Sequence, residues 1–323
     1  MNISIEKLRE ITHLYTHSNC PDGIASALII KDALPDIQVT FLKHGTKEHR
    51  EIEAHRGMLW CDFTPFEPRM HWIDLGVLVL DHHPTQKNLT MAFVEAGLGA
   101  YGENDKNECG AWLAYEHVWK PLQLGHGPFN PPDDGESVKR FAELAGVRDT
   151  WKKDDPRWQA ACEQAEALMF WGFDELKRNG LEGSGALNGL GRHLFAKKIE
   201  TANNALKEAY SFVTTKGTLV HMFQGVFPTS DAAEILEKAQ KEKFGKAMTN
   251  IVAGFHYRVD ADRLQLTFST RSHTGYDVGA FCKAHGGGGH SAAAGFTVEQ
   301  SAEVGANPYT VFRLLLGEWE QGR

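Results

Sequence analysis

The segment VLVLDHHPT, Val77–Thr85, decides how this chain is read. Four consecutive apolar residues suit a strand buried on both faces, as in a parallel sheet covered by helices, rather than a half-exposed hairpin. The run stops at Asp81, His82 and His83, three side chains able to bind metal or move protons. In open parallel sheets ligands collect beyond the carboxyl ends of the strands, where loops from several strands converge. One histidine in a turn would be an ordinary solvated residue, but Asp-His-His at the end of a buried strand reads as part of a site.

Two neighbouring segments end the same way. MLWCDF, Met58–Phe63, delivers Asp62, and HLYTHSNCPDG, His13–Gly23, delivers His17, Cys20 and Asp22. Apolar runs at Ile11–Tyr15, Ile37–Leu42, Met58–Trp60 and Val77–Leu80 predict four strands. Between the first two, GIASALIIKDAL has helical spacing and a stop at Pro35. Strand, helix, strand in that order predicts an α/β domain built on a parallel sheet. Three helical patterns follow: CGAWLAYEHVW, ESVKRFAELAGV and RWQAACEQAEALMFWGF. Asp149, in AGVRDTW, closes the second, where Arg148 makes an ordinary ion-paired cap the competing reading. A polar-faced helix from about Leu187 to Phe212 reads as a connector. Strand, helix, strand, strand patterns lie beyond it, ending in DVGAFCKAHGGGGHSAAAGF, Asp277–Phe296. The expected organisation is a catalytic α/β domain over 1–186, a helical linker over 187–215 and a smaller α/β domain over 216–323.

Composition limits the function. The chain has 323 residues, 42% hydrophobic, with no apolar run long enough to span a bilayer and no basic-then-apolar leader, so the expected compartment is the cytoplasm. Its five cysteines are scattered without a CxxC, which predicts reduced thiols rather than a disulfide framework. A net charge of -8 disfavours tight binding to long nucleic acid, which depends on many Lys and Arg contacts to phosphate. Lys152, Lys153, Arg192, Lys197 and Lys198 are the basic clusters that could line such a track, and they read better as solvated helix faces. A small anionic substrate remains open.

Histidines, aspartates and a shared carboxylate are the donors that hold two divalent ions roughly 3.5–4 Å apart, which clamp a phosphate and activate water. Phosphoryl or phosphodiester hydrolysis follows. Dinucleotide binding does not, because no GxGxxG follows the first strand. Downstream, Gly286–Gly289 with His290 reads as a loop whose backbone N–H groups and imidazole meet an anion, and Arg271, beside Ser272, offers a fork for phosphate.

Together DHHP at Asp81–Pro84, CDF around Asp62, RDTW around Asp149 and STRSHTGYDVGAFCKAHGGGGHSAAAGF at Ser269–Phe296 resemble the DHH phosphoesterase superfamily. The likeness is to its branch with a DHH-associated C-terminal domain, which includes nanoRNases and RecJ-type exonucleases. The resemblance implies two manganese ions, with Mg²⁺ or Zn²⁺ as alternatives, in a site in the cleft between the two domains. It implies that Asp62 bridges both ions, that Asp22, His82 and Asp149 hold one and that His17 helps to hold the other. Asp81 is then a ligand or orients His82, and His83 faces the scissile phosphate. Arg271, Ser272, Gly287, Gly288, Gly289 and His290 would bind substrate.

The sequence departs from the family at its first motif, which usually carries two aspartates one residue apart. Matching DGIASA to the RecJ-like pattern puts Cys20 in the place of the first aspartate. Matching PDG to the nanoRNase-like pattern leaves Ile24 where the second should be. The first alignment is preferred, since isoleucine cannot bind metal, and it puts His17 one residue out of step. Cys20 is then either a thiolate ligand favouring softer ions or a small packed thiol. The expected activity is hydrolysis of short oligonucleotides or small phosphorylated nucleotides by a soluble enzyme, for which a homodimer is one open assembly. Polyphosphate or pyrophosphate hydrolysis, single-strand exonuclease action and a degenerate nucleotide-binding module are the alternatives.

Overall fold

The computed structural model describes residues 3–66, 70–124, 135–179, 184–225, 229–260, 263–300 and 307–322. It divides into two compact units, Met1–Phe195 and Ala196–Arg323. That division falls within one helix, Ser184–Lys207.

The first unit is built on a parallel sheet of β1 (His13–His17), β2 (Gln38–Leu42), β3 (Met58–Cys61), β4 (Leu78–Asp81) and β5 (Gly99–Tyr101), in the order β2-β1-β3-β4-β5. β3 and β4 are buried throughout, as their unbroken apolar runs require. From β1 the chain crosses to β2 on one side and returns to β3 on the other. The carboxyl ends of β1 and β3 therefore flank the crevice where the winding direction reverses. Helix Pro21–Ala33 connects β1 to β2 and buries every residue from Asp22 to Ile30 against the sheet and against helices Gly110–Ala114, Glu136–Asp149 and Trp158–Asn179. A helix covered on all sides needs apolar residues all round, which IASALII supplies.

The four expected strands shift by one or two residues at their ends, and a fifth appears. β1 begins at His13, not Ile11, because the N–H groups of Thr12 and His13 both go to Gly57 O before the ladder starts. Ile11 is buried without being paired, so its apolar character marks packing rather than the strand. β5 was not anticipated: three residues, GAY, give no periodicity. Its small residues are required, since a Cβ at Gly99 would come within 2.5 Å of Val79 O on the adjacent strand.

The second unit holds a mixed sheet, ordered β10-β11-β9-β8-β7-β6, of β6 (Tyr210–Val213), β7 (Leu219–Gln224), β8 (Ile251–Asp260), β9 (Arg263–Arg271), β10 (Gly288–His290) and β11 (Ala293–Gln300). β6 corrects the expected connector, which was to stay helical to Phe212. Antiparallel pairing with β7 buries Phe212 in the core and leaves Val213, on the opposite face of the strand, exposed. The last residues of the expected strand TLVHMFQGVF, Val226 and Phe227, lie outside the described residues. Phe268, Phe281, Phe312 and Leu316 form the core, the last two from an unanticipated helix, Pro308–Glu320. Asn307 Oδ1 caps that helix by accepting from the N–H groups of Tyr309 and Thr310.

The glycine run also differs. Gly288–His290 is not a loop but an edge strand antiparallel to β11. A Cβ on Gly287 would stand 2.1 Å from Gly295 O, and Gly289 has a φ of 136°. The glycines let two backbones approach closely; they are not a flexible tether.

Candidate metal centre

The residues predicted from four separate segments converge beyond the carboxyl ends of β1, β3 and β4. His82 Nε2 lies 3.3 Å from Asp62 Oδ1, 3.3 Å from Asp149 Oδ2 and 3.7 Å from Asp22 Oδ2. Three sets of donor atoms lie within 4.8 Å of one another: Asp22, His82 and Asp149; His17, Cys20 and Asp62; and Asp62, Asp81, His82 and His83. Ile24, which the other alignment puts in the place of the second aspartate, is packed in the hydrophobic core.

Local backbone explains why these side chains converge. Asp22 is the second residue of its helix, yet it accepts from the N–H groups of Gly110 (2.7 Å) and Ala111 (2.8 Å), the opening turn of another helix. Those otherwise unsatisfied donors fix its carboxylate. Asp62 turns out of β3 at a φ of 56°. Among the described residues the other non-glycine positions in that left-handed region are Asn19, Asn107 and Trp151. Asn19 lies between His17 and Cys20, Trp151 lies two residues after Asp149, and Asn107 Oδ1 accepts from Thr150 Oγ1 at 3.1 Å. Backbone conformations that cost energy are thus gathered around one site. Arg148 is not an ion-paired cap for Asp149. Its guanidinium lies over the rings of Trp151 (4.3 Å) and Trp158 (5.5 Å), while Asp149 turns to His82.

One expected role changes. Asp81 does not orient His82: its Oδ1 lies 2.7 Å from His83 Nδ1. His82 is oriented instead by Asn104, whose Oδ1 accepts from Nδ1 at 2.8 Å and leaves Nε2 for the carboxylates. An asparagine after β5 gives no metal signal in a sequence, and only its place opposite a histidine ring reveals it. Outer partners of this kind are worth roughly 10–100-fold in metal affinity, so Asn104→Ala should weaken Mn²⁺ binding by about that factor in a calorimetric titration. Unchanged affinity would mean that the amide only packs.

Burial and crowding set the electrostatics. Asp62 is 1% exposed, and its carboxyl is pushed well above the usual range by loss of water first and by Asp22 second. Asp149 rises to about 6 for the same two reasons, although its side chain remains 27% accessible. Burial alone would lower His82, but the hydrogen bond to Asp62 and the charges of Asp149 and Asp22 overcome it and raise the imidazole to about 11. Burial pushes the Cys20 thiol up, helped by Asp62, and lowers His17.

These groups fit a divalent ion. Asp62 Oδ2 and Asp81 Oδ2 are buried with no hydrogen-bond partner, a costly state for a carboxylate and one that a cation would relieve. The donors are oxygen and imidazole nitrogen with one sulfur, suited to ions from Mg²⁺ and Mn²⁺ to Zn²⁺.

The second unit brings together Arg271 and Gly286–Gly289, which line one open groove. The Arg271 guanidinium is already anchored, donating from Nε to Ser230 Oγ (2.8 Å) and from Nη1 to Thr270 O (2.8 Å). Ser272 does not join them: it is 4% exposed, and its hydroxyl accepts from the Tyr276 N–H. His290 is exposed on β10.

No protein-family model and no curated protein matches this chain. Solved structures do match. Against the DHH domain of a member of a family of ribosomal proteins the TM-score is 0.58 at 13% identity, covering 97% of this chain and 87% of that one. The manganese-bound exonuclease RecJ gives 0.52 at 16% identity, over 98% and 92%. The chain has the fold of these DHH-domain proteins. An exopolyphosphatase-related protein from Bacteroides fragilis also matches, with a TM-score of 0.50 at 10% identity over 98% and 95%. In this DHH fold the sequence Asp81-His82-His83 ends the fourth strand, at the cluster described above.

Proposed function

We propose that this protein is a divalent-metal-dependent phosphoesterase of the cytoplasm, hydrolysing short oligonucleotides or small phosphorylated nucleotides in the nanoRNase manner. One observation carries the reading: Asp22, Asp62 and Asp149 gather within 3.7 Å of His82 Nε2, and Asp62 among them is buried with one oxygen unpartnered, at the winding switch of a parallel sheet. Asp22, Asp62, His82 and Asp149 would hold one ion, with Asp62 shared toward His17 and Cys20. When bound, the ions supply Lewis acidity to a phosphoryl oxygen and make a water a stronger nucleophile.

The chain's own groups account for the remaining chemistry. Asp81 takes the Nδ1 proton of His83 in a hydrogen bond and fixes the ring, as a carboxylate does for a catalytic imidazole. The His83 side chain, 40% exposed, then presents Nε2 to donate a proton to the oxygen that leaves as the P–O bond breaks. Arg271 would grip a remote phosphate of the substrate. His83→Ala should lower kcat by roughly 10²–10⁴-fold with Mn²⁺ affinity retained, checked by turnover alongside metal titration. Equal losses in both would make His83 a ligand instead.

Small substrates are favoured over long single strands because the basic residues of one helix face acids. Arg192, Lys197 and Lys198 face Glu163 (3.8 Å), Glu200 (2.9 Å) and Asp231 (3.0 Å). Polyphosphate is the second reading, motivated by the exopolyphosphatase-related neighbour. A substrate panel tests both: a dinucleotide, a longer single strand, a bis-aryl phosphodiester and polyphosphate, each with Mn²⁺ and with chelator. Preference for the dinucleotide is expected. Polyphosphate turnover alone would move the assignment to the second reading, and no turnover at all would leave a binding module.

A further inference from the structure

We propose that His17, Cys20 and Asp62 form a mixed nitrogen, sulfur and oxygen site for a thiophilic divalent ion such as Zn²⁺ or Co²⁺, chemically distinct from the Asp22, His82 and Asp149 group beside it. The inference deepens the proposed function and rests on that reading for the hydrolytic role of the pair.

Donor atoms of the three residues lie within 4.8 Å of one another. Asp62 is 1% exposed, and its Oδ2 has no partner, so a carboxyl oxygen in this group is already out of water and unsatisfied. Cys20 is set apart from the other thiols: Cys61, Cys109, Cys162 and Cys282 are buried, and Cys20 is half-buried at the head of helix Pro21–Ala33. The turn holding it is fixed, since a Cβ at Gly23 would come 2.2 Å from His17 O and Asn19 adopts a φ of 55°. His17 stacks on Phe63 with ring centroids 5.3 Å apart, which limits how the imidazole can turn.

The donor set decides the ion. Thiolate selects Zn²⁺ and Co²⁺ over Mn²⁺ and Mg²⁺, whereas the neighbouring pair of carboxylates with one imidazole accepts the harder ions. Binding forms a sulfur–metal bond as the thiol proton passes to solvent. Two adjacent sites of unlike chemistry would load two different metals, a softer one at the Cys20 group and Mn²⁺ or Mg²⁺ at the Asp149 group.

Cobalt reads this directly in the metal-free full-length chain, through the sulfur-to-cobalt charge-transfer band in the near ultraviolet. The expected result is a band that saturates at one equivalent, persists in excess Mn²⁺ and disappears on adding Zn²⁺. Cys20→Ser and Cys20→Asp should both abolish it. Serine and aspartate are good helix N-caps, so either variant keeps the start of helix Pro21–Ala33. Cys20→Asp should also move the Mn²⁺-to-Zn²⁺ affinity ratio toward Mn²⁺ by at least about tenfold, the least that even an outer partner of a ligand is worth. A band unchanged in Cys20→Ser, cobalt binding without a band, or no cobalt binding would each overturn the inference. Mn²⁺-dependent turnover without the band would sink this site and leave the proposed function standing. The band with no turnover of any phosphoester would do the reverse.

Discussion

Asp62→Asn is expected to remove phosphoester hydrolysis, lowering kcat by at least on the order of 10²–10³-fold, the cost of losing one preorganised electrostatic group. It is expected to leave the metal-free fold as stable as before or more so. The side chain lies 3.3 Å from His82 Nε2 and belongs to two of the three donor groups, so no other carboxylate serves both. In the metal-free protein the same charge is a burden: it is buried, one oxygen has no partner, and Asp22 and Asp149 repel it. The amide keeps the shape and drops the charge. Thermal unfolding in chelator and in Mn²⁺ separates the two effects. Wild type should gain about 2.7 kcal/mol at a hundredfold excess of metal over Kd, and the variant should lose most of that gain. Retained turnover would contradict a shared role for Asp62, and a large fall in metal-free stability would make it a structural residue.

Gly110→Ala should damage the site through packing alone. A Cβ there would stand 2.3 Å from Asp62 Cβ, 2.9 Å from Asp62 Cα and 2.8 Å from Asp22 Oδ2. Nothing nearby can yield. The Gly110 N–H is held by Asp22 and its carbonyl accepts from Cys61 Sγ at 3.4 Å, so both sides of the new methyl are pinned. Overpacking of this kind costs about 1–3 kcal/mol, and the displaced carboxylates should take metal binding with them. Gly189→Ala is the control. It lies within helix Ser184–Lys207 with nothing within 4 Å of the added methyl, and should gain about 0.5–1 kcal/mol. Denaturant unfolding and Mn²⁺ titration of both variants check this, and a tolerated Gly110→Ala would mean that the helix start can slide.

The parallel sheet was legible because Met58–Trp60 and Val77–Leu80 are apolar without alternation, which only burial on both faces explains. The acids and histidines were legible because each ends an apolar run or a helix. Asn104 and Gly110 were not, for opposite reasons. Asn104 acts through one hydrogen bond to a ring 22 residues away in sequence. Gly110 acts by lacking a side chain, and its pattern suited an ordinary helix start. β5 and β10 escaped because three-residue strands carry no period, and the four glycines suggested a loop where Gly287 and Gly289 instead allow close backbone approach. Adjacency in sequence suggested Asp81 as a support of His82, whereas the end of the strand turns Asp81 toward His83. Helix Pro308–Glu320 left a readable signal, Asn307 as cap, Pro308 at the first turn and apolar residues at 312, 315, 316 and 319.

Loading and turnover measured on one sample bear most directly on the central claim that this acid and histidine cluster is the metal centre of a phosphoesterase. The metal-free chain is titrated with Mn²⁺ while hydrolysis of a dinucleotide is followed. Turnover should rise with metal bound, level off when two ions are held per chain, and fall to background on adding chelator. Hydrolysis that persists after chelation, or full loading with no hydrolysis of any phosphoester, would contradict it.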